Sequence, residues 1–125
     1  MYLIWSIQLE ISFKMLKIGV VGAGHLGKIH IKILKNVDFV ELIGFYDIDE
    51  DVSFQVENEI KIKSYSSLND LIEHCDVLDI VTPTINHYET AQTALKKSKH
   101  VFIEKPVTHT LKEVRELIKI SEEAA

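Results

Sequence analysis

Apolar and polar residues alternate along the first stretch of the chain. Leu3, Trp5, Ile7, Leu9, Ile11 and Phe13 are interleaved with Ser6, Gln8, Glu10, Ser12 and Lys14, the period of two that marks a strand with one buried face. Residues 1–14 therefore read as an N-terminal extension of one of two kinds. It is a tail before a start at Met15, or an extra strand laid on an exposed sheet edge. We favour the tail, because Met15-Leu16-Lys17 leads directly into the next apolar run.

From Met15 onward the period switches repeatedly between strand and helix. The run Lys17–Val21 predicts a first strand, and Leu26, Ile29, Ile33 and Leu34 then follow helical spacing. Val40–Tyr46 predicts a second strand. Asp49, Glu50 and Asp51 open a helix that buries Val52, Val56 and Ile60, since acids suit the positive end of the helix dipole. A short third strand is expected around Ile62, and then a helix after Ser66 and Ser67 with Leu68, Leu71, Ile72 and Cys75 on one face. Val77–Val81 predicts a fourth strand ending at Thr82-Pro83. A helix carrying Tyr88, Ala91 and Leu95 follows, and then a fifth strand, His100–Ile103. The capping box Thr110-x-x-Glu113 starts a last helix. Strands separated by helices of this length require right-handed crossovers and a parallel sheet. The expected fold is α/β, a Rossmann-type doubly wound parallel sheet in a single domain over 15–125. Ser121–Ala125 ends in helical pattern without a glycine cap, and its two glutamates oppose the dipole. With five strands against the six of a full dinucleotide sheet, we expect truncation before the sixth strand and a substrate domain.

The turn after the first strand carries candidate chemistry. Gly22-Ala23-Gly24-His25-Leu26-Gly27 is a G-x-G-x-x-G between strand and helix. In that pattern the first glycine permits the turn, the second lets a pyrophosphate approach the backbone, and the third lets helix press on strand. Phosphates bind the free amides of the helix N-terminus, with His25 and Leu26 in the same turn. Twenty positions after Gly27 comes Asp47, placed to accept hydrogen bonds from ribose hydroxyls. The expected ligand is a dinucleotide; a glycine turn that binds nothing and an S-adenosylmethionine-binding domain are the alternatives. Asp47 repels a 2′-phosphate, and Asp49, Glu50 and Asp51 follow with no adjacent lysine or arginine, so NAD is expected over NADP.

Composition narrows the partners. A net charge of −5 argues against a nucleic-acid groove or an anionic membrane surface. Cys75 is the only cysteine, which precludes an intrachain disulfide and a cysteine metal cluster; packing is its expected role. His74, His100 and His109 have no ligand spacing, so no metal is assigned. No apolar run approaches the ~20 residues of a membrane-spanning helix. A cytoplasmic location is expected.

Two further segments lie just past strand ends, where open parallel sheets bind ligands: Thr82-Pro83-Thr84-Ile85-Asn86-His87 and Glu104-Lys105-Pro106. Together with Gly22–Gly27, Asp47 and His30, three positions after Gly27, their order and spacing resemble the Gfo/Idh/MocA oxidoreductases, the family of glucose–fructose oxidoreductase and inositol dehydrogenase. The resemblance spans Met15–Ala125, and Glu-Lys-Pro is its most specific part. It implies hydride transfer between a nicotinamide cofactor and a sugar, cyclitol or related alcohol. Lys105 would be the catalytic residue, near the nicotinamide and the reacting carbon, with Glu104 beside it at the cofactor. Thr82 and Pro83 would pass along the cofactor, and His87 would either join them or be a partly buried packing residue. The bond between Lys105 and Pro106 is often cis in such proteins. Family members carry a second domain that supplies the remaining acid–base groups. The isolated chain is therefore expected to bind cofactor with little or no turnover, awaiting a complementing C-terminal domain or forming a homo-oligomer. A non-catalytic NAD-binding sensor and a non-functional remnant are the contrasting readings.

Overall fold

The computed structural model describes residues 14–125. The alternating residues 1–13, and with them the choice between tail and extra strand, lie outside the described residues. Four parallel strands form one sheet: β1 (Leu16–Val21), β2 (Val40–Tyr46), β3 (Val77–Ile80) and β4 (His100–Ile103), in the order β2-β1-β3-β4. The helices are α1 (His25–Lys35), α2 (Glu50–Ile60), α3 (Leu68–His74), α4 (His87–Lys96) and α5 (Leu111–Ala124), with a 3-10 turn at Thr84–Asn86. This is the doubly wound Rossmann-like arrangement that the alternating periods predict.

The strand expected around Ile62 is reduced to one bridge. Ser64 pairs with Phe45, held by Phe45 N–H to Lys63 O (3.0 Å) and Tyr65 N–H to Phe45 O (2.8 Å). Lys61 ends α2 in the left-handed conformation (φ 62°), and Ser67 already caps α3. Between those caps only Ser64 is bridged to the sheet.

Strand periodicity sorts the core into two layers. Val20 and Phe45 pack with Ile31 of α1 and Val56 and Ile60 of α2 on one face. Val21, Leu78 and Ile80 pack on the other with Leu71 and Ile72 of α3, Ala91 and Leu95 of α4, and Leu117 of α5. Cys75 is buried in that second layer. Each large apolar side chain taken from water contributes about 1.5–3 kcal/mol. Local signals set the helix starts. Asp49 accepts the Asp51 and Val52 amides, Ser67 accepts that of Asp70, and Thr110 and Glu113 form a reciprocal capping box, each cap contributing about 1 kcal/mol.

Because Leu78 and Ile80 face the α3–α5 layer, Val77 and Asp79 face the side of α1. That side is only partly covered over β3 and β4. A cleft of about 300 Å³ lies there between α1 and the sheet, walled by Ile18, Ile33, Leu34, Val77 and Phe102; Phe102 is 61% exposed.

Candidate functional site

The carboxyl ends of β1, β2 and β3 open onto one crevice of about 720 Å³, within the size range of small-molecule sites. The bend after β1 forms its floor. Gly22 has φ +96°, and a Cβ there would sit 2.7 Å from the carbonyl oxygen of Val81, so glycine is required on both counts. Its N–H donates to Tyr46 O (2.8 Å), tying the bend to the end of β2. A Cβ on Gly27 would collide with Gly22 O; α1 is packed directly onto the bend.

Gly24 is different. No atom lies within 4 Å of the position its Cβ would take. It is the N-cap of α1 and supplies no side chain to cap the helix, so first-turn amides lacking an intrahelical partner face the crevice. Open space, free donors and the positive end of a helix dipole suit an anionic diphosphate. His25, Leu26 and Gly27 line the same wall.

Asp47 lies opposite, at the end of β2. Its Oδ2 accepts the Ala23 N–H (2.8 Å) and its Oδ1 the Asp49 N–H (2.8 Å). The carboxylate thus holds the glycine bend against the second strand, a role that sequence spacing did not indicate. Each oxygen keeps a further lone pair for a ligand hydroxyl. Asp49 spends its own carboxylate on capping α2. No lysine or arginine lines the crevice among the described residues.

Thr82 and Pro83 form the third wall. The Thr82 hydroxyl is buried without a hydrogen-bond partner among the described residues, an unmet group that a ligand at this wall would satisfy. His87 lies behind the wall, 1% exposed and absent from the crevice lining. Its Nε2 is 2.8 Å from Thr82 O, and its Nδ1 is 3.0 Å from Pro106 O and 3.2 Å from Val107 O. The ring fastens the Thr82 loop to the loop after β4.

Glu104 and Lys105 follow β4, and the Lys105–Pro106 peptide is cis. Neither side chain lines the crevice itself. Glu104 N–H donates to Ile80 O (3.0 Å), and Glu104 Oε2 accepts the Lys105 N–H (3.2 Å). Glu104 Oε1 lies 3.0 Å from His30 Nε2, and His30 Nδ1 lies 2.7 Å from Asp79 Oδ2. Asp79 is 5% exposed. Burial pushes its carboxyl above the usual range; His30 pulls it down and Glu104 pushes it up, and burial prevails. No motif marks Asp79. Its one sequence signal is an acid inside the apolar run Val77-Leu78-Asp79-Ile80-Val81.

Among the described residues, no helix is long and apolar enough to cross a membrane. Comparison with known proteins agrees with the geometry. The model of the Gfo/Idh/MocA family, described as an oxidoreductase family with an NAD-binding Rossmann fold, matches residues 16–125. The chain is 32% identical over 108 residues to UDP-N-acetylglucosamine 3-dehydrogenase of Acidithiobacillus ferrooxidans, covering 86% of this chain and 34% of that one. It is 32% identical over 112 residues to myo-inositol 2-dehydrogenase of Thermotoga maritima, covering 87% and 34%. The solved structure of the Acidithiobacillus enzyme superposes with a TM-score of 0.83 at 31% identity, covering 89% of this chain and 36% of that one. The chain thus spans about a third of the length of these relatives.

Proposed function

Because the chain belongs to the Gfo/Idh/MocA oxidoreductases, whose Rossmann fold binds NAD, we propose that residues 15–125 are the cofactor domain of a dehydrogenase acting on a sugar, cyclitol or related alcohol. The observation that carries the reading is one crevice that brings together the open position at Gly24, the uncapped start of α1 and the Asp47 carboxylate.

Each residue then has a task. Amides around Gly22, Gly24 and Gly27 hold the diphosphate, with His25 and Leu26 at its flank. Asp47 accepts the adenosine ribose hydroxyls and, with Asp49 at the rim, disfavours a 2′-phosphate, which selects NAD over NADP. Thr82 and Pro83 line the path of the cofactor, while Glu104 and His87 hold the loops beside it. NAD supplies the ring that accepts hydride. Lys105 presents a fixed ammonium to the substrate hydroxyl and stabilises negative charge on that oxygen. The two relatives named above act on an N-acetylated nucleotide sugar and on a cyclitol, the basis for the substrate class. Those enzymes are about three times as long; in this reading residues 15–125 taken alone bind cofactor with little turnover, and a complementing domain or oligomer completes the substrate pocket. A cytoplasmic setting fits NAD-linked chemistry.

Calorimetric titration with NAD and NADP tests the assignment. Saturable binding of NAD, tighter than NADP, is expected, with thermal stabilisation of about 2.7 kcal/mol at a hundred times the dissociation constant. Absence of binding, or preference for NADP, overturns it.

A further inference from the structure

The chain Asp79–His30–Glu104–Lys105 joins three elements that are distant in sequence. His30 lies six residues past Gly24 on α1, about 9 Å along the helix, so the helix that begins at the glycine bend also reaches the loop after β4. One ring nitrogen is 2.7 Å from a carboxylate on β3 and the other 3.0 Å from the Glu104 carboxylate. The second Glu104 oxygen accepts the Lys105 N–H. Lys28 and Lys32 on the same helix turn instead to Glu59 on α2. Asp79 and Glu104 are thus the ionisable groups hydrogen-bonded to the ring from the elements packed against it.

Packing alone does not account for Asp79. Its neighbours in this part of the sheet face are Val77 and Phe102, and a valine would fill the same place without burying a carboxylate. One of its oxygens, Oδ1, has no hydrogen-bond partner among the described residues. What the acid does accomplish is to fix the orientation of the His30 ring, as a carboxylate behind an imidazole does, and so to aim the far nitrogen at Glu104.

We propose that His30 is a positioning residue that, anchored by Asp79, holds Glu104 and thereby sets the backbone of Lys105 relative to the glycine bend. The proposal rests on the role given to Lys105 above, but its test needs no cofactor.

The 125-residue chain, 15N-labelled, is titrated by NMR while the Lys105 amide and the His30 ring protons are followed together. The Lys105 amide shift should inflect at the midpoint of the His30 ring, and His30→Gln should remove that inflection. A glutamine amide reaches roughly where Nε2 lies, so that variant should keep Lys105 amide exchange within about twofold of the parent. Asparagine reaches only the Asp79 side, and His30→Asn should speed that exchange about tenfold, the loss of one charge-assisted hydrogen bond. Persistence in His30→Gln of an inflection at the midpoint that the parent's His30 ring shows, or equal exchange in the two variants, overturns the proposal. Should His30→Asn not fold, Glu104→Gln serves in its place. It keeps an acceptor for the ring but removes the shared charge, so the Lys105 inflection must shrink at least about threefold, and an unchanged inflection is fatal. Failure of NAD to bind would overturn the function proposed above while leaving these readouts intact.

Discussion

The two ends of the candidate site are built on opposite principles. The glycine bend is made of backbone: its donors are amides, its shape comes from missing side chains, and its parts lie within six consecutive residues. The Lys105 end is made of side chains drawn from α1, β3, α4 and the loop after β4, joined across separations of 49 residues (His30 to Asp79) and 74 residues (His30 to Glu104). A bend of the first kind is shaped by close backbone approach and tolerates no side chain at Gly22 or Gly27. An end of the second kind is fixed by paired polar groups and is sensitive to protonation.

Gly27→Ala should break the bend most severely. With its Cβ directed onto the Gly22 carbonyl, it should cost more than about 3 kcal/mol in urea denaturation. Replacing Asp47 by Ser and Ile48 by Arg should come next. It removes the carboxylate proposed to face a 2′-phosphate and adds a cation, and should shift the NAD-to-NADP affinity ratio about a hundredfold, or about 2.7 kcal/mol. Some stability should go too, because the Ala23 and Asp49 amides lose their acceptor. Gly24→Ala sharpens the contrast within the bend. A methyl there meets no atom, so the melting temperature should hardly change while NAD affinity falls about tenfold, or about 1.4 kcal/mol. An equal loss of stability in Gly24→Ala and Gly27→Ala would contradict the division of labour between those glycines.

The smallest effect belongs to the other end and concerns pH. Asp79 has a folded-state pKa raised above its unfolded value, so the folded chain binds its proton more tightly than the unfolded chain. The contribution from this group is therefore greatest at low pH and falls as pH rises from the ordinary aspartate range through the raised value. Asp79→Asn should flatten that part of the stability curve, measured by urea titrations at stepped pH. A slope unchanged from the parent would mean that other groups set it.

The same division explains what was legible in the sequence. Among the described residues the alternation of periods located the five α-helices and the four strands, because each is specified by residues within one window. The third strand failed because an apolar residue at Ile62 does not of itself make a ladder: between the Lys61 and Ser67 caps only Ser64 is bridged, to Phe45. Gly22, Gly24, Gly27 and Asp47 were legible as a spacing, and they do meet in one crevice. The second task of Asp47, accepting the Ala23 amide, was not, since no sequence pattern records which backbone group turns toward a carboxylate. Asp79 could be noticed only as an acid out of place in an apolar strand. Its partner lies on α1, and only the fold brings the two together.

The half-covered face of the sheet has a practical consequence. Phe102 and Ile33, 61% and 59% exposed, flank a largely apolar cleft that ends at Asp79, whose Oδ1 has no hydrogen-bond partner among the described residues. An apolar cover laid over that cleft would take the carboxylate further from water and so would have to bring a donor for Oδ1.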